Sequence, residues 1–377
     1  MELITIIFCL IVIDYVIFIS LLIYGFSKVK SFEKIGLQPK TTFSIIVPFR
    51  NEEKNFRTLL NYISKLNYSI DLFEIIVIDD FSSDNSEKIF NKWRMENGLI
   101  QTTLLENLRL SNSPKKDAIS RAVPVVKNEW IITTDADCEV PRNWLLAFDN
   151  YIQSHEVEML VGAVNIKAKW NPFHYFQQMD LMSLQGTTIG SFGLKEAFMC
   201  NGANFAYTKN LFNSLGGFNG NAKIASGDDV FLLQKAVKQN AEKVHYLKNI
   251  ESIVLTKPEN NILKLFMQRV RWASKTGSYD SDFAKGLAVV VLLMNASLVV
   301  SFGCWVMGVG SWELIAIAFS LKLLVDYILL LKTNSFLRKG RFLFPIVSSF
   351  IYPFFSSFVG LYSLVGTFTW KDRSFKK

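Results

Sequence analysis

Four long apolar runs, one at the start of the chain and three at its end, bracket a middle stretch in which short apolar runs alternate with amphipathic ones. Leu3 to Phe26 is nearly continuous, long enough for a ~30 Å hydrocarbon core. It contains one charge, Asp14, and Lys28, Lys30 and Lys34 follow it. The run is too long for a cleaved signal peptide, and neither a basic segment before it nor a small-x-small site after it is present. It predicts a retained membrane helix over residues 1–27. The runs Gly286–Val309, Trp312–Leu331 and Phe342–Phe368 predict a C-terminal transmembrane region over 284–377. Lys322 and Asp326 lie one helical turn apart and are expected to pair within the bundle. The last run carries Pro345 and Pro353 and ends in Trp370, Lys371, Asp372 and Arg373, with Lys376 and Lys377 beyond. It is too short for two crossings, and one crossing would leave a basic tail on the wrong side. A break near Pro353 into two short helices that enter and return to the cytoplasmic face is therefore expected.

The middle stretch, Lys40 to Ile253, alternates between strand and helix periods. Phe43–Pro48, Phe73–Ile78, Thr102–Leu105 and Trp130–Thr134 read as buried strands. Asn51–Leu66, Ser83–Glu96 and Lys115–Val126 read as the helices between them, the first with Phe56, Leu59, Leu60 and Ile63 at helical spacing. Such units imply a mostly parallel sheet with right-handed crossovers, whose ligands bind at the carboxyl ends of the strands. Trp170–Gly190 is aromatic and methionine-rich. It reads as a helix lying in the membrane interface, with a buried helix as the alternative. Asn260–Thr276 reads as a second interfacial helix, with Ile262, Leu263, Leu265, Phe266 and Met267 on one side and Arg269 and Arg271 on the other. The expected organisation is thus an α/β domain with interfacial helices over 40–276.

Half of the 377 residues are hydrophobic and 14% are aromatic, more than a soluble domain of this size requires. The net charge of +8 suits a surface lying against anionic headgroups. Basic residues follow the first span and cluster at Lys332, Arg338, Lys339 and Arg341, which places the middle domain in the cytoplasm. The chain is expected in the cell (inner) membrane as a multi-pass protein. With no basic helix and no aromatic-interleaved RNA motif, nucleic acid is not an expected partner. Cys9, Cys138, Cys200 and Cys304 form no CxxC pair, so no zinc site or disulfide framework is indicated. His155, His174 and His245 are far apart in the sequence and read as surface or interface side chains.

The candidate chemistry lies at strand ends. Asp79 and Asp80 close the run Ile75–Ile78. Asp135 and Asp137 follow Trp130–Thr134, where one carboxylate can hold a divalent cation and the other a ribose or a water of that cation. Hard oxygen donors suit Mg2+ or Mn2+ bridging two phosphates. Asp228 and Asp229 follow Gly227 and open a helix, so either can cap it while the other acts as a general base. Gln268, Arg271 and Trp272 fall on adjacent turns, and an arginine beside a departing diphosphate would neutralise developing charge. Each motif alone also has a plain reading: a capped turn, a helix cap, a basic interfacial helix.

Taken in order, these segments resemble the family 2 glycosyltransferases, the inverting group that includes cellulose and poly-N-acetylglucosamine synthases and the ceramide glucosyltransferases. The resemblance rests on FSIIVPFRNEE (43–53), EIIVIDDFSSDNS (74–86), SPKKDAISRAV (113–123), WIITTDADCEVPRNWL (130–145), GANFAYTK (202–209), GGFNG (216–220), GDDVFLLQKA (227–236) and QRVRW (268–272). It implies an α/β GT-A fold, Rossmann-like, flanked by N- and C-terminal transmembrane helices. It also implies roles: Asp79 and Asp80 on the uracil and ribose side of a UDP-sugar, with Lys115 or Lys116 nearby, and Asp135 and Asp137 on the metal. Asn201, Gly202, Ala203 and Asn204 would form the floor under the donor sugar. Asp229 would be the base, with Asp228 beside it where many members carry Glu-Asp. Gln268, Arg271 and Trp272 would close over the pyrophosphate and acceptor.

The function expected is transfer of a sugar from a nucleotide-diphosphate sugar to a lipid acceptor at the cytoplasmic face. A processive polysaccharide synthase is the alternative, though four spans are few for a secretion channel. A haloacid dehalogenase-type phosphohydrolase would need an acid where Leu232 stands, and an inactive scaffold would not need the full set of acidic motifs.

Overall fold

The computed structural model describes residues 2–33, 36–169, 171–221, 224, 226–338, 346–370 and 373–375. Lys34, Trp170, Lys339, Arg341, Pro345, Lys371, Asp372, Lys376 and Lys377, together with 342–344, lie outside the described residues. The chain forms two compact units, one of Lys30–Lys167 with Met199–Lys257 and one of Met1–Val29, Ala168–Phe198 and Pro258–Lys377. Its elements run α1 (Glu2–Lys28), β1 (Phe43–Phe49), α2 (Phe56–Ile63), β2 (Phe73–Asp79), α3 (Ser86–Glu96), β3 (Gln101–Glu106), α4 (Pro114–Ala122), β4 (Trp130–Thr133), α5 (Trp144–Ser154), β5 (Met159–Gly162) and β6 (Val164–Ile166). Then come α6 (Pro172–Gly193), β7 (Phe205–Thr208), α7 (Lys209–Ser214), α8 (Asp228–Asn240), β8 (Val244–Leu247), β9 (Val254–Thr256) and α9 (Ile262–Ala273). Last are α10 (Asp282–Val306), α11 (Trp312–Arg338), α12 (Ile346–Val365) and the hairpin β10 (Phe368–Trp370) and β11 (Arg373–Phe375).

The first unit is built on a seven-stranded sheet in the order β3-β2-β1-β4-β7-β5-β8. β1 to β4 are parallel, and β7 runs antiparallel to both β4 and β5. β2 is buried at every position, as a strand covered on both faces must be. Its Glu74 is tolerated inside because Oε1 accepts from Ser44 Oγ at 2.6 Å and from Lys127 N at 2.7 Å. In α2, Phe56, Leu59, Leu60 and Ile63 are buried, the stripe read from the sequence. The antiparallel β7 was not foreseen. It carries its N-terminus to the carboxyl edge of β4, with Thr133 opposite Phe205. His155 and His245, distant in sequence, come together around Tyr151, their ring centroids 6.0 Å apart.

Among the described residues, the second unit contains four helices that are long and apolar enough to cross a membrane: α1, α10, α11 and α12 from Val347. α6 packs on α1 and α11. The α1–α6 contact is backbone against backbone, since a Cβ on Gly190 would stand 2.5 Å from the Leu22 carbonyl oxygen. Thirteen α6 residues are buried, Gln177, Gln178, Asp180, Gln185, Thr188 and Ser191 among them, so the helix is enclosed by protein over much of its surface. Lys322 pairs with Asp326 as expected, and Tyr15 donates to the same carboxylate at 2.6 Å.

Two expectations are corrected here. α12 passes through Pro353 as one helix. Proline forfeits a single hydrogen bond, to the carbonyl four residues back, whereas breaking the helix in an apolar setting would strand several more backbone groups. In α9 the apolar and basic residues do not part onto two sides. Leu265, Arg269 and Val270 are buried, while Ile262 and Leu263 are 57% and 63% exposed. Arg269 turns inward because Asp180 of α6 receives it.

Candidate active site

The parallel strands β1 to β4 deliver their carboxyl ends to one edge of the sheet. Asp79 ends β2, and its Oδ1 accepts from Ser82 N at 2.9 Å, closing the turn. Asp80 Oδ1 accepts from Asn107 Nδ2 at 2.7 Å, and Arg109 Nη1 lies 3.9 Å from it. Arg50, just past β1, donates to the Asp80 and Phe81 carbonyls. Arg50, Asn107 and Arg109 were not singled out from the sequence. Each stands one to three residues past a strand on the same edge, and the strand-end rule that selected Asp79 would have found them.

Lys115, on the first turn of α4, ties the other acidic motifs together. Its Nζ donates to Asp135 Oδ1 at 2.7 Å and lies 3.4 Å from Asp228 Oδ2. Burial works to lower its pKa, but the charges of Asp135, Asp228 and Asp229 and the hydrogen bond to Asp135 outweigh it and hold the ammonium well above its ordinary range. Asp229 is held differently. Its Oδ2 accepts from Gly202 N and its Oδ1 from Val230 N, both at 2.8 Å. Asp228 is buried and Asp229 is half-buried. Gly227, at φ 82, takes a left-handed conformation that presents both carboxylates at the start of α8.

Oxygens of Asp135 and Asp137 and Cys138 Sγ lie within 4.8 Å of one another. Burial first, then the charges of Asp137 and Asp135, push the Cys138 thiol up, so it is a neutral thiol directed at Asp137 Oδ1 at 3.7 Å. The two carboxylates are half-buried and hard, a donor set that fits Mg2+ or Mn2+ and does not fit a thiolate-seeking metal.

The segment 201–204 divides. Asn201 Oδ1 accepts from Ala203 N, and the Gly202 carbonyl accepts from Thr133 Oγ1 at 2.7 Å. Ala203 is 2% exposed and belongs to the core. Asn204 is fully buried, donating to the Ala163 and Ser252 carbonyls at 2.8 Å and accepting from Trp144 Nε1 at 2.9 Å. The expectation that all four face a sugar is therefore corrected. Ala203 and Asn204 lie beneath the surface, because β7 must first join the sheet. Lys116 is likewise turned to structure. Its amine donates to the Asn221 and Ile224 carbonyls at 2.7 and 3.0 Å and pins that loop.

Gln268, Arg271 and Trp272 lie on α9 in the other unit. Gln268 Nε2 donates to Glu259 Oε1 at 2.9 Å, Trp272 stacks under the Arg269 guanidinium at 4.2 Å, and Arg271 is half-buried. The sequence reading put Arg269 on the basic side of this helix and did not foresee its pairing with Asp180. A buried acid is hard to see in an aromatic helix whose partner lies 89 positions away.

The mixed α/β sheet carries its acidic clusters at the carboxyl ends of its parallel strands, the edge at which open α/β sheets bind ligands. The description "Glycosyl transferase family 2" matches residues 44–216, and over that stretch the chain is a family 2 glycosyltransferase domain of the GT-A kind. The chain is 29% identical over 119 residues to the poly(ribitol-phosphate) beta-N-acetylglucosaminyltransferase TarS of Staphylococcus aureus, 32% of this chain and 20% of that protein. It is 28% identical over 248 residues to the beta-monoglucosyldiacylglycerol synthase of Trichormus variabilis, 63% of this chain and 49% of that protein. The chain thus spans between a fifth and a half of these relatives' lengths. Its fold is similar to that of the mannosyltransferase PcManGT from Pyrobaculum calidifontis, solved with GDP-Man and Mn2+, with TM-score 0.57, 15% identity, and 96% and 98% of the two chains covered.

Proposed function

We propose that this protein is a membrane-bound inverting glycosyltransferase. It transfers a sugar from a nucleotide-diphosphate sugar, in our reading a UDP-sugar, to a lipid hydroxyl at the cytoplasmic face. The observation that carries the reading is the convergence of Asp135, Asp228 and Asp229 on Lys115 and Gly202 at the edge where Asp79 and Asp80 also lie. In this reading Asp79 and Asp80 hold the base and ribose, with Asn107 and Arg109 fixing Asp80. Asp135 and Asp137 hold Mg2+ or Mn2+, which when bound supplies charge to the departing diphosphate. Asp229 is the base. Two backbone N–H donors aim its carboxylate, and it is the less buried of the pair. It takes the acceptor proton as the hydroxyl oxygen bonds to the anomeric carbon and the diphosphate leaves, in one displacement. Asp228, engaged by Lys115, sets the local charge. Gln268, Arg271 and Trp272 act on the diphosphate and acceptor.

A lipid acceptor is supported by the four apolar helices and by the glycolipid synthase, the longer of the two sequence alignments. The shorter alignment to TarS, whose name specifies a polymer acceptor, favours the glycan alternative. We place the enzyme in the cell (inner) membrane as a multi-pass protein with its α/β unit in the cytoplasm. The test is radiolabelled UDP-sugar turnover by purified protein in vesicles with and without diacylglycerol, in Mn2+, Mg2+ or excess EDTA. Metal-dependent label in the lipid phase is expected, and full turnover in EDTA would overturn the metal assignment.

A further inference from the structure

The second unit buries an ion pair to which the proposed chemistry gives no part. Asp180 of α6 and Arg269 of α9 have side chains 5% and 6% exposed. The Arg269 fork is shared three ways. Nε donates to Asp180 Oδ2, Nη1 donates to Gln268 Oε1, and the guanidinium covers the Trp272 ring. One turn earlier on α6, Gln177 holds the approach to α9, donating to the Glu259 carbonyl at 3.0 Å and accepting from Glu259 N at 2.7 Å. The Glu259 side chain in turn accepts from Gln268. Both oxygen and nitrogen of the Gln268 amide, and one face of Trp272, are thereby fixed by groups that α6 anchors.

A buried ion pair is weak evidence for stability, since apolar side chains of similar volume often serve as well or better. An apolar pair, however, cannot offer a planar fork that satisfies a carboxylate, an amide oxygen and an aromatic face together. We infer that Asp180 and Arg269 are positioning residues for Gln268 and Trp272. Asp180 sets the plane of the Arg269 guanidinium, and that plane sets the orientation of the two motif side chains. The inference rests on the reading that Gln268 and Trp272 take part in sugar transfer.

The experiment uses the full-length protein in nanodiscs, with wild-type turnover of a nucleotide sugar established first. Failure of the wild type to turn over any nucleotide sugar would sink the functional reading before any variant is made. Given an active wild type, the double variant Asp180→Leu/Arg269→Met leaves no uncompensated charge and is expected to melt near the wild type. Its kcat should fall about 100-fold, the scale of a misplacement near 1 Å, with donor KM little changed. Arg269→Lys keeps the charge opposite Asp180 but not the fork, and should lose most of the same kcat. Asp180→Glu should retain most of it. A folded double variant with wild-type kcat would show that the pair is packing and nothing more. Should the double variant not fold, Arg269→Lys decides alone, and wild-type kcat there overturns the inference.

Discussion

Gly202 is tightly enclosed: a Cβ there would meet Lys115 Nζ at 3.0 Å, Asp228 Oδ2 at 3.1 Å and Asp229 Cβ at 3.4 Å, so these side chains would have to give way. The neighbours are the charged groups of the candidate site, so Gly202→Ala should disturb chemistry before stability. We expect kcat to fall by about 10- to 100-fold with a melting temperature close to wild type, measured by turnover and thermal unfolding of the purified protein. An alanine variant with unchanged kcat would mean that Lys115 and Asp228 can shift without cost. The two aspartates separate in the same way. Asp229→Asn should abolish transfer and leave donor binding within a few-fold, because a base acts in the transition state. Asp228→Asn should weaken activity less, since Lys115 still has Asp135. A dead Asp228→Asn beside an active Asp229→Asn would reverse the assignment. At this scale the sequence was legible where the chemistry is local. A carboxylate just past an apolar run is visible without a structure. It was not legible for Lys115 against Lys116, because adjacent residues on α4 point to different partners, one to carboxylates and the other to loop carbonyls.

Elements were legible where one period dominates. β1, β2 and β4 carry the apolar runs Ile45–Val47, Ile75–Ile78 and Trp130–Ile132, and α2 shows its stripe. β7 was not, because FAYT is four residues with no alternation, and its direction depends on a pairing with β4 that lies some 70 positions away. The same holds for the residues under it: Asn204 reads as a ligand group until Trp144, Ala163 and Ser252 are seen to use its amide. Among the described helices, α1 and α6 approach backbone to backbone. A Cβ on Gly193 would stand 1.8 Å from the Gly25 carbonyl oxygen, and one on Gly25 2.1 Å from that of Gly190. Small residues permit such contact between apolar helices, where packing and not water drives association. Gly193→Ala must push two backbones apart, an overpacking cost of about 1–3 kcal/mol. A lowered unfolding temperature in detergent is the expected outcome, and an unchanged one would show that the helices part freely.

At the scale of the whole molecule, the side-chain contacts between helix ends bear on which side of the bilayer each end occupies. Lys332 Nζ donates to Ser27 Oγ at 3.0 Å, so the end of α11 lies beside the end of α1. Lys28 ends α1 and Lys30 follows it, and Lys332 and Arg338 lie in the last two turns of α11. In the proposed orientation, the basic residues at both ends put that side in the cytoplasm. The turn between α10 and α11, at Gly308–Gly310, then faces outward. The C-terminal tail is the test. The continuous α12, if counted as one more crossing, would send it outward too. Yet β10 packs against α9, the helix that leads into the start of α10. That contact sets β10 beside the helix that leads into α10, which in the proposed orientation is the cytoplasmic side. Single cysteines at Val309 and Ser374, in a variant lacking the four native cysteines, separate the two topologies. An impermeant maleimide applied to intact cells should label position 309 and spare 374 until the cells are opened. Labelling of 374 in intact cells would mean that α12 crosses outward, and that the contact between β10 and α9 does not exist in the membrane.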